Sequence, residues 1–136
     1  DEDISNMAKS NVPAVLLPGT TFFLGKSNYA PYSKIKESGI DVAIATDYNP
    51  GSSNIQSMVF IIALATIYMK MDIYEALKSS TYIPSKILNI DGRTGSIEKG
   101  KNADIIIWNV KEPIEIPYNF SVHLIKSVIK SGKILF

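Results

Sequence analysis

An α/β chain, with parallel strands covered by helices and a small β module after them, is what this sequence of 136 residues predicts. Three observations carry that expectation. Two short apolar runs, at residues 14–17 and 41–46, lack the polar alternation of half-exposed strands and read as strands buried on both faces. Segments of helical character lie between and after them, so strand and helix alternate. After Asn89 the helical character stops, and turns with short apolar runs take over.

Taken in order, residues 3–9 place Ile4, Met7 and Ala8 at helical spacing, and Asn11 follows as a stop. The run at 14–17 is closed by Pro18 and Gly19, which end a strand. Residues 20–31, with Gly25, Ser27, Asn28 and Pro31, read as a loop. Residues 32–38 read as a short helix ending at Gly39. The second strand, 41–46, runs into Asp47, Tyr48, Asn49, Pro50, Gly51, Ser52, Ser53 and Asn54, a dense turn signal. A long apolar helix is expected from Ile55 to about Met69. Asp72, with Glu75 three residues on, is a capping-box variant that opens another helix to about Ser79. Residues 81–88 read as a third, with Pro84 in its first turn, where proline is tolerated. Beyond them Asp91-Gly92 and Gly95 mark turns, 105–108 and 127–130 read as strands, Ser131-Gly132-Lys133 turns the chain, and 134–136 begins a return strand. The predicted division is therefore 1–88 and 89–136.

Composition narrows the function classes. Hydrophobic residues make up 46% and charged residues 20%, which suits a packed domain and not a disordered chain. Fourteen basic and 13 acidic residues leave a formal net charge of +1, so nothing electrostatic favours nucleic acid or an anionic membrane as partner. The absence of cysteine excludes disulfides and thiolate metal sites and agrees with an expected cytoplasmic location. The acidic start, Asp1-Glu2-Asp3, is not the basic opening of a secretory signal. The longest apolar run, 58–69, is too short for a bilayer core of ~30 Å. Two strands cannot close a barrel or make a doubly wound sheet. The chain therefore reads as the tail of something larger, or as one that covers its faces by association. A homo-oligomer formed through the open strand edge is the expectation.

The turn at 47–54 carries the most chemistry. Asp47 stands just past the carboxyl end of a buried strand, which is where parallel α/β folds place their sites. A carboxylate there is costly unless it is hydrogen-bonded or binds a cation. Behind it, Asn49, Gly51, Ser52 and Ser53 lead into the following helix, where free N–H groups suit a carboxylate or phosphate. Gly51 permits close approach of a ligand to the backbone. On the residues alone, Asp47 and Asn54 read equally as caps of the turn and the helix. Gly95-Ser96-Ile97-Glu98-Lys99-Gly100-Lys101-Asn102 fits the frame of a phosphate loop, but Asn102 replaces the hydroxyl residue that would hold magnesium. No buried strand precedes it and a strand follows it, so a pair of β-turns is the expectation. His123 is the only histidine, and one histidine does not make a metal site. The seven tyrosines are scattered and read as packing residues.

Two strings carry a resemblance to a known family. Ala43-Ile44-Ala45-Thr46-Asp47-Tyr48-Asn49-Pro50-Gly51-Ser52 resembles the eighth-strand segment of the imidazolonepropionase family. Ala14-Val15-Leu16-Leu17-Pro18-Gly19-Thr20-Thr21-Phe22-Phe23-Leu24 resembles a preceding strand of the same family. Gly95-x-Ile97-x-x-Gly100-Lys101-x-Ala103-Asp104-Ile105 resembles a signature of amidohydrolases at large, and residues 128–133 resemble the closing strand of their small β module. The resemblance implies the C-terminal part of a TIM-like (β/α)8 barrel and part of a small β-sandwich domain. It implies hydrolysis of 4-imidazolone-5-propanoate to N-formimidoyl-L-glutamate in L-histidine degradation, with zinc or iron as cofactor and a small molecule as substrate. Asp47 matches the metal-ligating and catalytic aspartate, and Asn49, Gly51 and Ser52 match substrate-binding positions. Ser52 departs from the family's more frequent threonine but keeps the hydroxyl, and Pro84 departs from a small residue. The family's metal histidines, catalytic glutamate and second catalytic histidine have no counterparts here. The chain is thus expected to be roughly the last third of the enzyme, inactive alone. Another metal-dependent amidohydrolase, of the deaminase or dihydroorotase kind, and a free-standing assembly module stay open as alternatives.

Overall fold

A computed structural model describes residues 2–136. It is a mixed α/β arrangement with two separate sheets. The chain runs α1 (Glu2–Lys9), β1 (Ala14–Leu16), α2 (Pro18–Phe23), α3 (Tyr32–Glu37), β2 (Val42–Ile44), α4 (Met58–Tyr68), α5 (Ile73–Ser80) and α6 (Tyr82–Ile87). It continues through β3 (Ile105–Trp108), α7 (Glu115–Tyr118), β4 (Ile125–Lys130) and β5 (Lys133–Ile134). No helix among the described residues is long and apolar enough to cross a membrane.

β1 and β2 pair in parallel, with Ala14 opposite Val42, Val15 opposite Ala43 and Leu16 opposite Ile44. Successive side chains of a strand point to opposite faces. Ala14, Leu16, Val42 and Ile44 accordingly share one face, and that face is buried together with Tyr32 and Ile35 of α3 and with residues of α4 and α5. α4 is apolar nearly all round, and Ile61 to Ala65 are all buried within it. Such a helix has no solvent face to keep wet. Full burial of one isoleucine or leucine is worth roughly 1.5–3 kcal/mol, so Ile61, Ile62 and Leu64 make α4 the main anchor of the strand pair. The other face is less covered, for Val15 remains 50% exposed. Among the described residues neither outer edge of this pair has a further strand.

The cap of α5 is half of the expected capping box. The Asp72 carboxylate accepts from Tyr74 N at 2.8 Å, but Glu75 lies 3.4 Å from Lys36 Nζ of α3. α4 starts later than Ile55, because Ser57 caps it by accepting from Phe60 N at 3.2 Å. Residues 20–31 are not all loop. α2 begins at Pro18, in its first turn, and runs into this stretch as far as Phe23. Proline fits the first helical turn because its missing N–H would have no intrahelical acceptor. Glycine and threonine in α2 are weak helix formers, which hides the helix from propensity.

The C-terminal part forms one antiparallel sheet in the order β3-β4-β5. A sandwich needs a second sheet, and the described residues of this part contain none. Ser131 and Gly132, with φ of 49° and 77°, make the two-residue turn between β4 and β5. Asp104 ties that turn to β3, accepting from Lys130 Nζ at 2.6 Å and from Ser131 N at 2.8 Å. These bonds, the one from Lys130 foremost, hold the Asp104 carboxyl below its ordinary range. α7 is a single turn that the sequence does not announce, since Pro117 lies inside it. The Glu115 carboxylate stabilises its start by accepting from Lys111 N and Glu112 N, each at 2.8 Å. Phe120, just after α7, meets Phe60 of α4 with ring centroids 5.2 Å apart.

The turn after α6 is a second junction. Gly95 has a φ of 94°, and a Cβ there would lie 2.1 Å from Ser85 Oγ and 2.6 Å from Ser85 Cβ. Ser85 is only 4% exposed and cannot swing aside. Gly95→Ala is therefore expected to lower stability by about 2–5 kcal/mol, from backbone strain plus overpacking. Adding Ser85→Gly should recover the packing part and leave the strain. Urea unfolding of the single and paired variants measures both parts, and a Gly95→Ala variant as stable as the parent would contradict this close approach.

Candidate active site

Parallel pairing puts the carboxyl ends of β1 and β2 side by side, and Ala45 N donates to Leu16 O at 3.1 Å just beyond the ladder. From that point β1 turns directly into α2, while β2 enters the turn that precedes α4. Gly19 lets the two excursions approach. A Cβ at Gly19 would lie 3.4 Å from both Thr46 O and Ser53 Oγ, and 2.7 Å from Ile61 Cδ1. Thr20 and Asp47, far apart in sequence, thus come into contact. Thr20 Oγ1 donates to Asp47 Oδ2 at 2.8 Å.

Asp47 is exposed and has a φ of 49°, in the left-handed region. That conformation costs a residue with a Cβ roughly 1–2 kcal/mol, least for Asp and Asn. Its neighbours hold it there. Asn49 Nδ2 donates to Asp47 O at 2.6 Å. Asn49 N donates to Ser53 O at 2.9 Å, and Ser53 Oγ to Thr46 O at 2.8 Å. Tyr48 N donates to Thr46 Oγ1 at 3.3 Å. The Asp47 side chain caps neither the turn nor α4. Thr20 is its one hydrogen-bond partner among the described residues, and Oδ1 is left without one.

Asn49 is the keystone of the turn. Its amide nitrogen donates to Asp47 O and to Ser52 Oγ, at 2.6 and 3.1 Å. Its Oδ1 accepts from Gly51 N at 2.9 Å and from Ser52 N at 2.8 Å. A carboxamide has two donors and two acceptor lone pairs, so every position is occupied. The N–H groups of Gly51 and Ser52, expected from the sequence to be free for an anion, are engaged inside the turn. A bond from Asn49 to a bound molecule would have to replace one of these. Gly51 lacks a positive φ, and a Cβ there would meet only Asn49 Oδ1, at 3.4 Å. Nothing else among the described residues crowds it.

The described residues hold no group of three or more His, Cys, Asp or Glu side chains able to bind a metal ion. Asp47 fits a metal as one ligand only, through its unpartnered Oδ1. His123 is exposed and belongs to no such group among the described residues. The loop at 95–102 does not cradle an anion. Lys101 Nζ donates to Ser96 Oγ at 2.6 Å and to Glu98 at 3.1 Å, and Ser96 with Lys101 keeps the Glu98 carboxyl below its usual range. Two surface clefts, one including Asn11, Asp41 and Lys86 and the other Tyr29, Tyr32 and Tyr68, contain none of Asp47, Asn49, Gly51 and Ser52. The sequence reading missed Thr20. Its signal was positional: in parallel register, residues just past Leu16 and Ile44 must lie near one another.

Comparison with known proteins places these residues in context. The sequence model of the amidohydrolase family matches residues 2–135. The imidazolonepropionase of Kosmotoga olearia is 43% identical over 136 residues, which cover 100% of this chain and 33% of that protein. That of Bacillus velezensis is 39% identical over 133 residues, 98% of this chain and 32% of that protein. The chain thus spans about a third of the length of the curated relatives it matches. Among solved structures, a zinc- and atraton-bound mutant of atrazine chlorohydrolase from Arthrobacter aurescens superimposes with a TM-score of 0.85 at 21% identity, covering 98% of this chain and 33% of that one. A zinc-bound adenosine deaminase from Xanthomonas campestris gives a TM-score of 0.82 at 21% identity, covering 98% and 34%. At that identity the likeness is one of fold.

The saturated amide makes a stability test possible. Asn49→Asp removes both donors and sets a carboxylate against Asp47 O, so it should destabilise the turn by about 1–3 kcal/mol. Ser52→Ala loses one hydroxyl and should cost less, about 0.5–1.5 kcal/mol. Urea unfolding ranks the two variants, and a neutral Asn49→Asp would contradict the keystone role.

Proposed function

Because the chain belongs to the amidohydrolase family, we propose that it is the C-terminal part of a TIM-like (β/α)8 barrel whose complete protein hydrolyses a cyclic amide C–N bond. The substrate we assign is 4-imidazolone-5-propanoate, opened to N-formimidoyl-L-glutamate in L-histidine degradation. The identity to proteins named imidazolonepropionase supports this choice. One observation carries the reading: an exposed carboxylate at the carboxyl end of paired parallel strands, with one oxygen held by Thr20 and the other without a partner. The sheet β3-β4-β5 is then this chain's share of a small β-sandwich domain. The free edges of β1 and β2 would take up the remaining barrel strands.

Zinc or iron is the cofactor we assign, and the zinc in the neighbouring structures supports a metal cofactor. When bound, such an ion polarises the ring carbonyl and makes water acidic enough to attack near neutral pH. Asp47 Oδ1 supplies one ligand. The other ligands lie outside this stretch, so the chain alone holds neither a tight metal nor the activity. Asp47 is also the general base of this chain, accepting a proton from the attacking water. Gly51, open on its outer side, and the hydroxyl of Ser52 line the substrate position. Asn49 acts there chiefly by holding Asp47 and Ser52 in place.

In the complete protein, Asp47→Asn should cut hydrolysis of 4-imidazolone-5-propanoate roughly a thousandfold or more, about 4 kcal/mol of barrier. The assay is the loss of the imidazolone chromophore. Near-normal turnover of the variant, or a parent protein that opens dihydroorotate or deaminates a purine in preference, would overturn the assignment.

A further inference from the structure

We propose that the C-terminal part of the chain braces the strand end from a distance: Phe120, acting through Phe60 and Phe22, holds α2 docked and with it the contact between Thr20 and Asp47. Three rings form a continuous row across three elements. Phe22 of α2 meets Phe60 of α4 edge-on with centroids 5.2 Å apart, and Phe60 meets Phe120, just after α7, at 5.2 Å and a tilt of 47°. α2 needs such support. It has six residues, starts with Pro-Gly-Thr-Thr, and receives no side-chain bond from its N-cap, Leu17. A helix that short is not stable by itself in water and depends on tertiary packing. Its buried residues, Pro18 and Gly19, lie at its start, so Phe22 is what docks its far turn on α4.

The rest of the row is well fixed. Phe60 stands in the first turn of α4, where its N–H donates to the Ser57 cap at 3.2 Å. Phe120 follows α7, which packs against α4 and buries Ile116 and Pro117. Val122 N donates to Asn119 O at 2.9 Å and Asn109 N to Leu124 O at 2.7 Å, which ties the Phe120 segment to the sheet β3-β4-β5. Removing the Phe120 ring leaves a void beside Phe60, which can then turn toward it and loosen its edge contact with Phe22. Thr20, in the first turn of α2, donates to Asp47 Oδ2 at 2.8 Å, so an opening that frees α2 breaks that bond. The C-terminal part, which carries none of the residues read as catalytic, thereby sets how often the strand end is fully assembled.

Amide hydrogen exchange in the complete protein tests the brace, read by mass spectrometry on a peptide covering residues 18–26 and, for reference, on one covering α5. The first peptide contains the bonds that close α2, from Leu24 N to Thr20 O at 3.1 Å and from Lys26 N to Thr21 O at 3.0 Å. Phe120→Ala should speed exchange there about two- to tenfold, the size of one aromatic pair, and leave α5 within about twofold of the parent. Phe120→Tyr, which keeps the ring, should exchange like the parent. In Phe22→Ala the row is already cut, so adding Phe120→Ala should change exchange by less than about twofold more. If Phe120→Ala does not fold, Phe120→Leu carries the same expectation. Parental exchange of residues 18–26 in the folded ring-free variant overturns the proposal, as does an equal rise in α5 or full additivity of the two substitutions. None of these readouts depends on Asp47 being a metal ligand.

Discussion

Pairing Ala14–Leu16 in parallel with Val42–Ile44 obliges the chain to leave β1 at one end of the sheet and return to the other before β2 can begin. That crossover is made by α2 and α3, and α3, with α4 and α5, buries the face formed by Ala14, Leu16, Val42 and Ile44. It also sets both strand exits at the same end. An antiparallel pair would have placed Thr20 and Asp47 at opposite ends of the sheet. Their hydrogen bond of 2.8 Å is thus a consequence of strand direction, and the carboxylate's orientation follows from the bond.

Around Asp47 the turn is built to need nothing from outside. The Asn49 amide uses all its hydrogen-bonding capacity on Asp47, Gly51 and Ser52, and Ser53, fully buried, secures Thr46 from below. No buried side-chain polar atom among the described residues lacks a partner. The group left incomplete at this strand end is the exposed Asp47 carboxylate, whose Oδ1 points to no donor. Asp47 thus combines a left-handed φ with a fully hydrogen-bonded turn behind it. Among the described residues the edges of β1 and β2 carry no further strand, and Val15 is half-exposed.

Much of this was legible in the residues. Continuous apolar strands gave away their parallel pairing, the run at 58–69 the burial of Ile61 to Ala65 but not of Ile67 and Tyr68, and Asp72 its cap. The dense residues after Thr46 marked a turn. What stayed hidden was set by tertiary contact. Glycine and threonine mask α2, and only its docking on α4, where Phe22 meets Phe60 edge-on at 5.2 Å, stabilises it. Asn49 has the composition of a ligand-binding residue and the geometry of a structural one, and composition cannot separate the two. Thr20 carries no local mark, because its partner lies across the sheet. The role of Asp47 came from the resemblance, since the residues alone read equally as a cap.

The central claim is the one proposed for the complete protein, that Asp47 is a ligand of its metal. Anomalous diffraction at the zinc edge, on crystals of the complete protein grown with zinc, tests it most directly. The account predicts a peak about 2.0–2.2 Å from a carboxylate oxygen of Asp47. A zinc site with Asp47 outside its ligand shell would contradict it.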